Sequence, residues 1–175
     1  KWCSNKNGTT LFIIEIVNMK QKIFDILDTL QIDYTNYEHE AVFTCDEAKW
    51  VEVPGFRVKS LLLRNKKASQ FYMVVLPDSK KLDTNIIRNM FDESKLSFAS
   101  PERMMEKIWL KPWSVSPFAL INNTENDIKI VFDHNLKDQL IGFHPLQNDN
   151  TIVLRMTSVE HFLDNVWNEF HYHEM

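Results

Sequence analysis

Apolar residues along the chain follow two spacings, and their alternation predicts the elements of the fold. Ile23, Ile26, Leu27 and Leu30 recur every three to four positions, which predicts an amphipathic helix over 20–30. Further helices are predicted over 44–51, 84–90, 100–109 and 158–170, capped by Thr44, Asp83, Ser100 and Ser158. Short apolar runs between turn residues predict strands over 32–39, 61–65, 71–76, 118–122, 128–133, 140–144 and 151–156.

The order of these elements predicts the fold class. Helices and strands interleave without a strict βαβ repeat, and neighbouring strands such as 61–65 and 71–76 are predicted to form hairpins across short polar turns. The expected architecture is α+β, a single domain with a mixed central β-sheet flanked by helices. A chain of 175 residues is long enough for one such domain with a sizeable core.

The first 18 residues are predicted to stand apart from this domain. Residues 1–18 are expected to be an N-terminal extension or a vector-derived segment, and the domain proper is expected to span 19–175. The apolar run over 11–17 is too short and too interrupted, by Glu15, for a signal peptide. A first edge strand over 11–17 is the alternative.

Lys59 is a charged residue at the start of a predicted apolar strand. Gly55 predicts a turn, and Lys59 then leads into the apolar run Leu61-Leu62-Leu63, which ends in a basic turn. An unpaired buried charge costs several kcal/mol, so this ammonium must reach water, a carboxylate or a ligand. A snorkelling lysine at a strand edge is the simpler alternative.

Charge and cysteine content narrow the class of protein. The net charge of −4 argues against a surface coated with basic residues, although it leaves room for a local basic face. Cys3 and Cys45 are too few for a disulfide-stapled secreted scaffold, which favours a reducing, cytoplasmic setting. No apolar run approaches the ~20 residues of a membrane-spanning helix.

Several familiar chemistries lack their sequence patterns. The histidine clusters 133–134 and 171–173 do not have the spacing of a zinc site, so neither a metal nor another cofactor is predicted. His171 and His173 are expected to lie at a frayed terminus. Cys45 lies in a helix-start pattern and no nucleophile elbow is present. Three glycines, far apart, cannot form a glycine-rich phosphate loop.

Four segments carry a family resemblance: 39–44, 55–67, 113–118 and 144–151. In order and spacing they resemble the YbaK/ProX family, free-standing editing domains that hydrolyse mischarged aminoacyl-tRNA, and most closely its ProX-type prolyl-tRNA editing branch. The resemblance extends from about residue 20 to about residue 170. It implies the YbaK/ProRS-associated-domain fold and a deacylase that uses no cofactor.

The resemblance also implies a set of site residues. Lys59 would be the key catalytic residue, with its ammonium contacting the terminal nucleotide or the aminoacyl ester, and Ser60 would take the place of the family's asparagine. A loop would line the amino-acid pocket with backbone amides that can stabilise an oxyanion. The implied substrate-binding residues are His39, Thr44, Ser114, Val115, Ser116, Pro117, Phe118 and His144. Taken alone, Thr44 is explained equally well as a helix cap, and a lone histidine is most often structural.

Two positions depart from the family pattern. Ser60 replaces the usual asparagine, and a hydroxyl lacks the reach and the second donor of an amide. Trp113 stands where the family has a glycine, which is used where backbone comes close to a ligand. Either Trp113 turns outward to solvent or RNA, or it reshapes the amino-acid pocket.

The expected substrate is a mischarged tRNA for proline. Arg57, Arg64, Lys66 and Lys67 are predicted to contact the acceptor end of the RNA, and Lys80, Lys81 and Arg88 are candidates to extend this group. Alanine is the amino acid that the resemblance implies, with cysteine and serine left open. Prolyl-tRNA synthetase is a candidate partner, whereas no membrane or DNA partner is expected. The alternative is a noncatalytic sensor of amino acids or aminoacyl-tRNA with the same fold.

Overall fold

The computed structural model describes residues 19–41, 52–166 and 168–175. Within these ranges one sheet contains β1 (Thr35–Glu38), β2 (Phe56–Asn65), β3 (Phe71–Pro77), β4 (Leu96–Phe98), β5 (Ile128–Asp133), β6 (Leu140–Phe143), β7 (Asn150–Arg155) and β8 (Phe170–His173). The described helices are α1 (19–29), α2 (Thr84–Met90), α3 (Pro101–Ile108) and α4 (Met156–Asn165).

The sheet is mixed. Its strand order is β1-β7-β6-β2-β3-β5-β8, and β4 adds to β2. The pairs β1–β7, β6–β7, β2–β3 and β2–β4 are antiparallel, whereas β2–β6, β3–β5 and β5–β8 are parallel. This architecture confirms the predicted α+β class.

Side chains divide between the two faces of the sheet, because successive residues of a strand point in opposite directions. Leu62 and Met73 face the larger core, which is completed by α1, α3 and α4 and which we call the main-core face. Leu63 and Val74 point the other way and pack with Ile87 of α2, so we call that side the α2 face. On β2, odd-numbered residues therefore belong to the α2 face and even-numbered ones to the main-core face.

Two predicted helix starts have the expected caps. The Asp83 carboxylate accepts a hydrogen bond from the Asn85 amide at 2.9 Å, and α2 begins at Thr84. The Ser100 hydroxyl accepts from the Arg103 amide at 3.4 Å, with Pro101 at the first position of α3. Both caps satisfy backbone donors that the first helical turn leaves unpaired.

The predicted strand over 118–122 is wrong. Pro117–Asn122 is a 3₁₀ helix, and its residues from Pro117 to Leu120 are buried without the alternation of a half-exposed strand. A short apolar run fits a buried helical turn as well as a strand, and Pro117 begins the turn because its backbone angle is already helical.

The C-terminal prediction is also wrong in part. Helix α4 begins at Met156, directly after β7, and not at Ser158; the residue before it, Arg155, makes no capping hydrogen bond through its side chain. The helix ends at Asn165, and residues 170–173, which include both terminal histidines, form β8 against β5 rather than a frayed end.

Other boundaries differ by a few residues. Strand β2 begins at Phe56, five residues before the predicted start, so Lys59 lies inside the strand. Strand β1 covers only the second half of the predicted 32–39, and β4 was not predicted. The predicted helix over 44–51 and the predicted extension over 1–18 lie outside the described residues. Within the described ranges, no helix is both long and apolar enough to cross a bilayer.

Candidate active site

The turn at Gly55 brings the start of β2 against the start of β6. Gly55 has φ +92°, and a Cβ atom there would lie 2.5 Å from the carbonyl oxygen of Leu140. Only glycine combines this backbone angle with so close an approach. The result is a parallel register in which Phe56 is paired with Ile141 and Arg57 with Gly142.

This register places two predicted site residues at the same end of the β2–β6 pair. His144 is the residue directly after β6, and two steps from the Arg57–Gly142 pair lead to Lys59 on one strand and His144 on the other. Lys59 lies on the α2 face by strand alternation, whereas His144 lies beyond the end of β6. Lys59 and His144, 85 positions apart in sequence, thus each lie two residues beyond the last bonded pair of β2 and β6.

The ammonium of Lys59 turns away from β6, toward the loop that follows β3. It donates to the carbonyl oxygen of Asp78 at 2.9 Å and to that of Lys80. The loop is fixed by an ion pair between Arg57 Nε and Asp78 Oδ2 at 3.2 Å and by one between Lys80 Nζ and buried Asp133 at 2.7 Å. Backbone carbonyls, rather than the predicted water, carboxylate or ligand, therefore hold this charge.

His39 and His144 lie together, as predicted, with ring centroids 5.9 Å apart. His144 Nδ1 lies 2.7 Å from the carbonyl oxygen of Asn150, so this nitrogen carries the proton and donates it. His39 Nδ1 donates in the same way to the Glu40 carbonyl at 2.8 Å, and His39 Nε2 accepts from the Thr151 hydroxyl at 3.0 Å. These partners leave the lone pair on His144 Nε2 for a water molecule or a substrate.

Burial keeps the His144 imidazole neutral. It lowers the pKa of His144 below its ordinary 6.5, and the nearby His39 lowers it further, whereas the hydrogen bond to Asn150 and the charge of Asp149 oppose the shift. At neutral pH, His144 can therefore accept a proton but does not carry a charge.

Asn150 anchors the loop over 144–150, which we call the histidine loop; the sequence motifs do not reveal this role. Its side-chain oxygen accepts from Lys20 Nζ, and its side-chain nitrogen donates to Asn36 Oδ1 at 3.0 Å. Lys20 also pairs with Asp149 at 3.4 Å. The polar run 147–151 was the available signal for Asn150, whereas nothing in the pattern of α1 marks Lys20.

The loop over 114–116 presents polar groups without partners in the described structure. The Ser114 amide donates to the Lys111 carbonyl at 3.0 Å, so it is occupied. Among the described residues, the amides of Val115 and Ser116 reach no acceptor, and the Ser116 hydroxyl, with its residue 1% exposed, has no partner. Buried polar groups are nearly always paired, so this loop has donors to offer a ligand.

A cleft of about 260 Å³ connects this loop to the histidine loop. Trp113 and Ser114 line one side, and Asp149 lines the other together with Ala41, which lies two residues after His39. Trp113 is 41% exposed and packs beside the Lys111 ammonium, 5.6 Å from its ring centroid. Trp113 is therefore part of the cleft wall while much of its ring stays exposed, so its position does not choose between the two outcomes foreseen for it.

The remaining predicted residues are more scattered. Ser60 lies on the main-core face, where Val58 packs in the same cluster as Val115 and Phe118, so Ser60 and Lys59 point to opposite sides of the sheet. Pro117 and Phe118 are buried in the 3₁₀ helix. Thr44 lies outside the described residues.

The basic residues follow one strand instead of forming one patch. Lys66 and Lys67 are exposed at the tip of the β2–β3 hairpin, about 20 Å from Lys59 at the rise of a strand. Arg64 donates to the carbonyls of Asn65 and Lys66 near this tip, and Arg57 lies at the opposite end. Of the candidate extensions, Lys81 is exposed, Lys80 is paired with Asp133, and Arg88 contacts its neighbour Asn89.

Metal-ligating side chains do not converge in the described part of the chain. No group of three or more His, Cys, Asp or Glu residues there surrounds a point where an ion would fit. His39 and His144 each use one ring nitrogen on a backbone carbonyl.

Comparison with known proteins identifies the family. The aminoacyl-tRNA editing domain family matches residues 39–162. The chain is 33% identical over 157 residues to the prolyl-tRNA editing protein ProX of Acetoanaerobium sticklandii, covering 88% of this chain and 96% of that protein. It is 27% identical over 153 residues to the prolyl-tRNA synthetase associated domain-containing protein 1 of Danio rerio, covering 85% and 83%.

Solved structures agree in fold. A crystal structure of a candidate trans-editing enzyme for prolyl tRNA synthetase superimposes with a TM-score of 0.66 at 16% identity, covering 90% of this chain and 97% of that one. The matched residues 39–162 include every predicted site residue. The resemblance of the four motifs is thereby confirmed, and the chain belongs to the aminoacyl-tRNA editing domain family.

Proposed function

We propose that the protein is a trans-acting deacylase that hydrolyses the ester bond of mischarged tRNA for proline, with alanyl-tRNA as the first substrate to test. Family membership supports hydrolysis of an aminoacyl-tRNA, and the ProX relative at 33% identity supports the prolyl tRNA. The observation that carries the proposal is the His39–His144 pair, with ring centroids 5.9 Å apart, whose loop shares a cleft with the loop over 114–116, where donors have no acceptor among the described residues.

The chemistry needs no covalent intermediate. Water attacks the ester carbonyl, His144 Nε2 accepts a proton from that water, and the amides of Val115 and Ser116 stabilise the oxygen that becomes negative. The carbon–oxygen bond to the ribose then breaks, and the ribose oxygen takes the proton held by His144 Nε2 and leaves as a hydroxyl. The products are the free amino acid and the uncharged tRNA.

Lys59 supplies positive charge to the same end of the sheet. Its four-carbon side chain is flexible, and its two present acceptors are neutral carbonyls, which an anionic phosphate or a developing oxyanion can replace. In this proposal the Asp78–Lys80 loop holds the Lys59 ammonium while no substrate is bound, and the ammonium moves to the substrate on binding. His39, which holds Thr151 beside His144, positions the histidine loop.

A noncatalytic sensor is the second candidate. Two observations favour it: the Lys59 ammonium is already bonded within the chain, and Trp113 stands at the family's glycine. Such a protein binds the mischarged tRNA and leaves it intact.

Hydrolysis of three charged tRNAs separates the candidates. Alanyl-, cysteinyl- and seryl-tRNA for proline are each incubated with the protein, and release of the labelled amino acid is followed over time. A deacylase releases at least one of them faster than buffer alone. Binding of all three without release would refute the enzyme and establish the sensor.

A further inference from the structure

Two tryptophans are exposed on the rim of the cleft next to the site. Trp109 is 53% exposed and Trp113 41% exposed, and both line the cleft together with Lys111. Large aromatic side chains are normally among the most buried, because they contribute so much apolar area to a core. Two of them on one rim are typical of a binding surface.

The backbone at Trp109 points to the same conclusion. Trp109 ends α3 in the left-handed conformation, with φ +59°. Glycine is the usual residue at such a helix end, because a Cβ atom is crowded there. Trp109 therefore takes an unfavourable backbone conformation, yet its side chain gains no burial in the core in return. Packing in the core does not explain why a tryptophan stands at this position.

The size and position of the cleft limit what it can hold. Its volume of about 260 Å³ is below the ~300–1,000 Å³ of pockets for drug-sized ligands, so it suits one flat ring system rather than a larger ligand. Asp149, on its far side, accepts the backbone hydrogen bond of His39 at 3.0 Å. The cleft wall is thus hydrogen-bonded to the backbone of one of the two site histidines.

We propose that Trp109 and Trp113 stack on the unpaired bases at the 3′ end of the tRNA, and that Lys111 pairs with a phosphate between them. This inference rests on the proposed function, which places that single-stranded end at the site. Every base offers a flat face to an aromatic ring, and such stacking is the usual way in which proteins hold single-stranded RNA. Lys111 is exposed and already lies over the Trp113 ring, so its charge is available at the edge of the stack.

The test measures binding of uncharged RNA, so it does not depend on hydrolysis. An acceptor-stem hairpin ending in single-stranded CCA is titrated against the wild type, Trp109→Ala and Trp113→Ala by fluorescence anisotropy of a 5′ label. Each alanine variant is expected to bind about tenfold more weakly or worse. Trp109→Phe and Trp113→Phe keep a ring and are expected to retain most of the affinity.

Three controls make the result specific. Phe98→Ala removes an aromatic residue on β4 that is 57% exposed and does not line the cleft, and it is expected to leave binding unchanged. A blunt hairpin without CCA should bind the wild type and the alanine variants equally. Lys111→Gln should lower the salt dependence, with the slope of log K against log salt reduced by about 0.7.

The outcomes separate this inference from the proposed function. Unchanged binding of the CCA hairpin by both alanine variants would overturn the stacking. Equal losses on the blunt hairpin would overturn it as well. Tryptophan-dependent binding by a protein that releases no amino acid would support the stacking while refuting the deacylase.

Discussion

Replacement of Lys80 by methionine tests the ion pair that fixes the loop beneath Lys59. The Lys80 ammonium lies 2.7 Å from Asp133 Oδ2 and also donates to the Met175 carbonyl at 2.8 Å. The Asp133 side chain is 0% exposed, and the Lys80 side chain is 27% exposed. Methionine keeps most of the length of the side chain and removes its charge.

The expected loss follows from the burial of Asp133. Without Lys80, the carboxylate keeps the Asn135 amide as a donor at 2.9 Å but loses its cation. Breaking a buried ion pair by removing one partner costs about 3–5 kcal/mol. Because water reaches part of Lys80, we expect a loss somewhat below this range, about 2–3 kcal/mol, which is a large share of the ~5–15 kcal/mol that stabilises a domain.

Urea unfolding followed by circular dichroism measures this loss. Lys129→Met is the matched control, since water reaches both partners of its ion pair with Glu169 at 3.0 Å, 33% and 55% exposed, and such a pair is worth about 0–1 kcal/mol. Adding Asp133→Asn to Lys80→Met removes the stranded charge and is expected to recover part of the stability. A loss for Lys80→Met no greater than that of the control would refute the reasoning, because the loop would then not depend on this pair.

Two further predictions concern the site. The lowered pKa of His144 predicts a hydrolysis rate that rises with pH as Nε2 loses its proton and is level above about pH 6.5. His144→Gln should lower the rate and abolish this rise. The same shift predicts that the free energy of unfolding of the wild type, measured in urea, rises with pH between the lowered pKa of folded His144 and about 6.5, because the unfolded state binds more protons in that range. An unchanged pH profile in the variant would remove His144 from the mechanism. Charge reversal at Lys66 and Lys67 should weaken tRNA binding and flatten its dependence on salt. Charge reversal at the exposed residues Lys22 and Lys95 is the control. Equal losses of affinity in the two double variants would mean that only the net charge of the protein matters.

The sequence pattern predicted those helices and strands whose formation depends on residues close together in the chain. The caps at Asp83 and Ser100, the helical spacing of α1 and the β2–β3 hairpin all depend on residues within a few positions of one another. The run from Pro117 to Asn122 failed because its length and apolar character suit a strand and a buried turn equally. Strand β8 was missed because parallel pairing with β5 leaves no signal in the neighbouring sequence.

Candidate members of the site could be named from sequence motifs, but their arrangement could not. The histidine motifs placed His39 and His144 in one site, yet their contact depends on β1 and β6 both lying next to β7, which only the sheet order reveals. The direction of the Lys59 ammonium depends on the backbone carbonyls of Asp78 and Lys80. Every residue has such a carbonyl, so the side-chain sequence cannot show which ones will act as acceptors. Asn150 and Lys20 were missed for a related reason, since each acts by holding a loop whose position is set by the fold.

The most direct test of the account is single-turnover hydrolysis of alanyl-tRNA for proline by the wild type, by Lys59→Ala and by Lys22→Ala. Lys22 is an exposed lysine on α1, so its variant controls for the loss of one positive charge. The account predicts that the wild type and Lys22→Ala release alanine at similar rates, and that Lys59→Ala stays folded and releases it at least about a hundredfold more slowly, as is usual when one electrostatic contact to the transition state is lost. Equal rates for Lys59→Ala and the wild type would contradict the assignment of Lys59 to the active site.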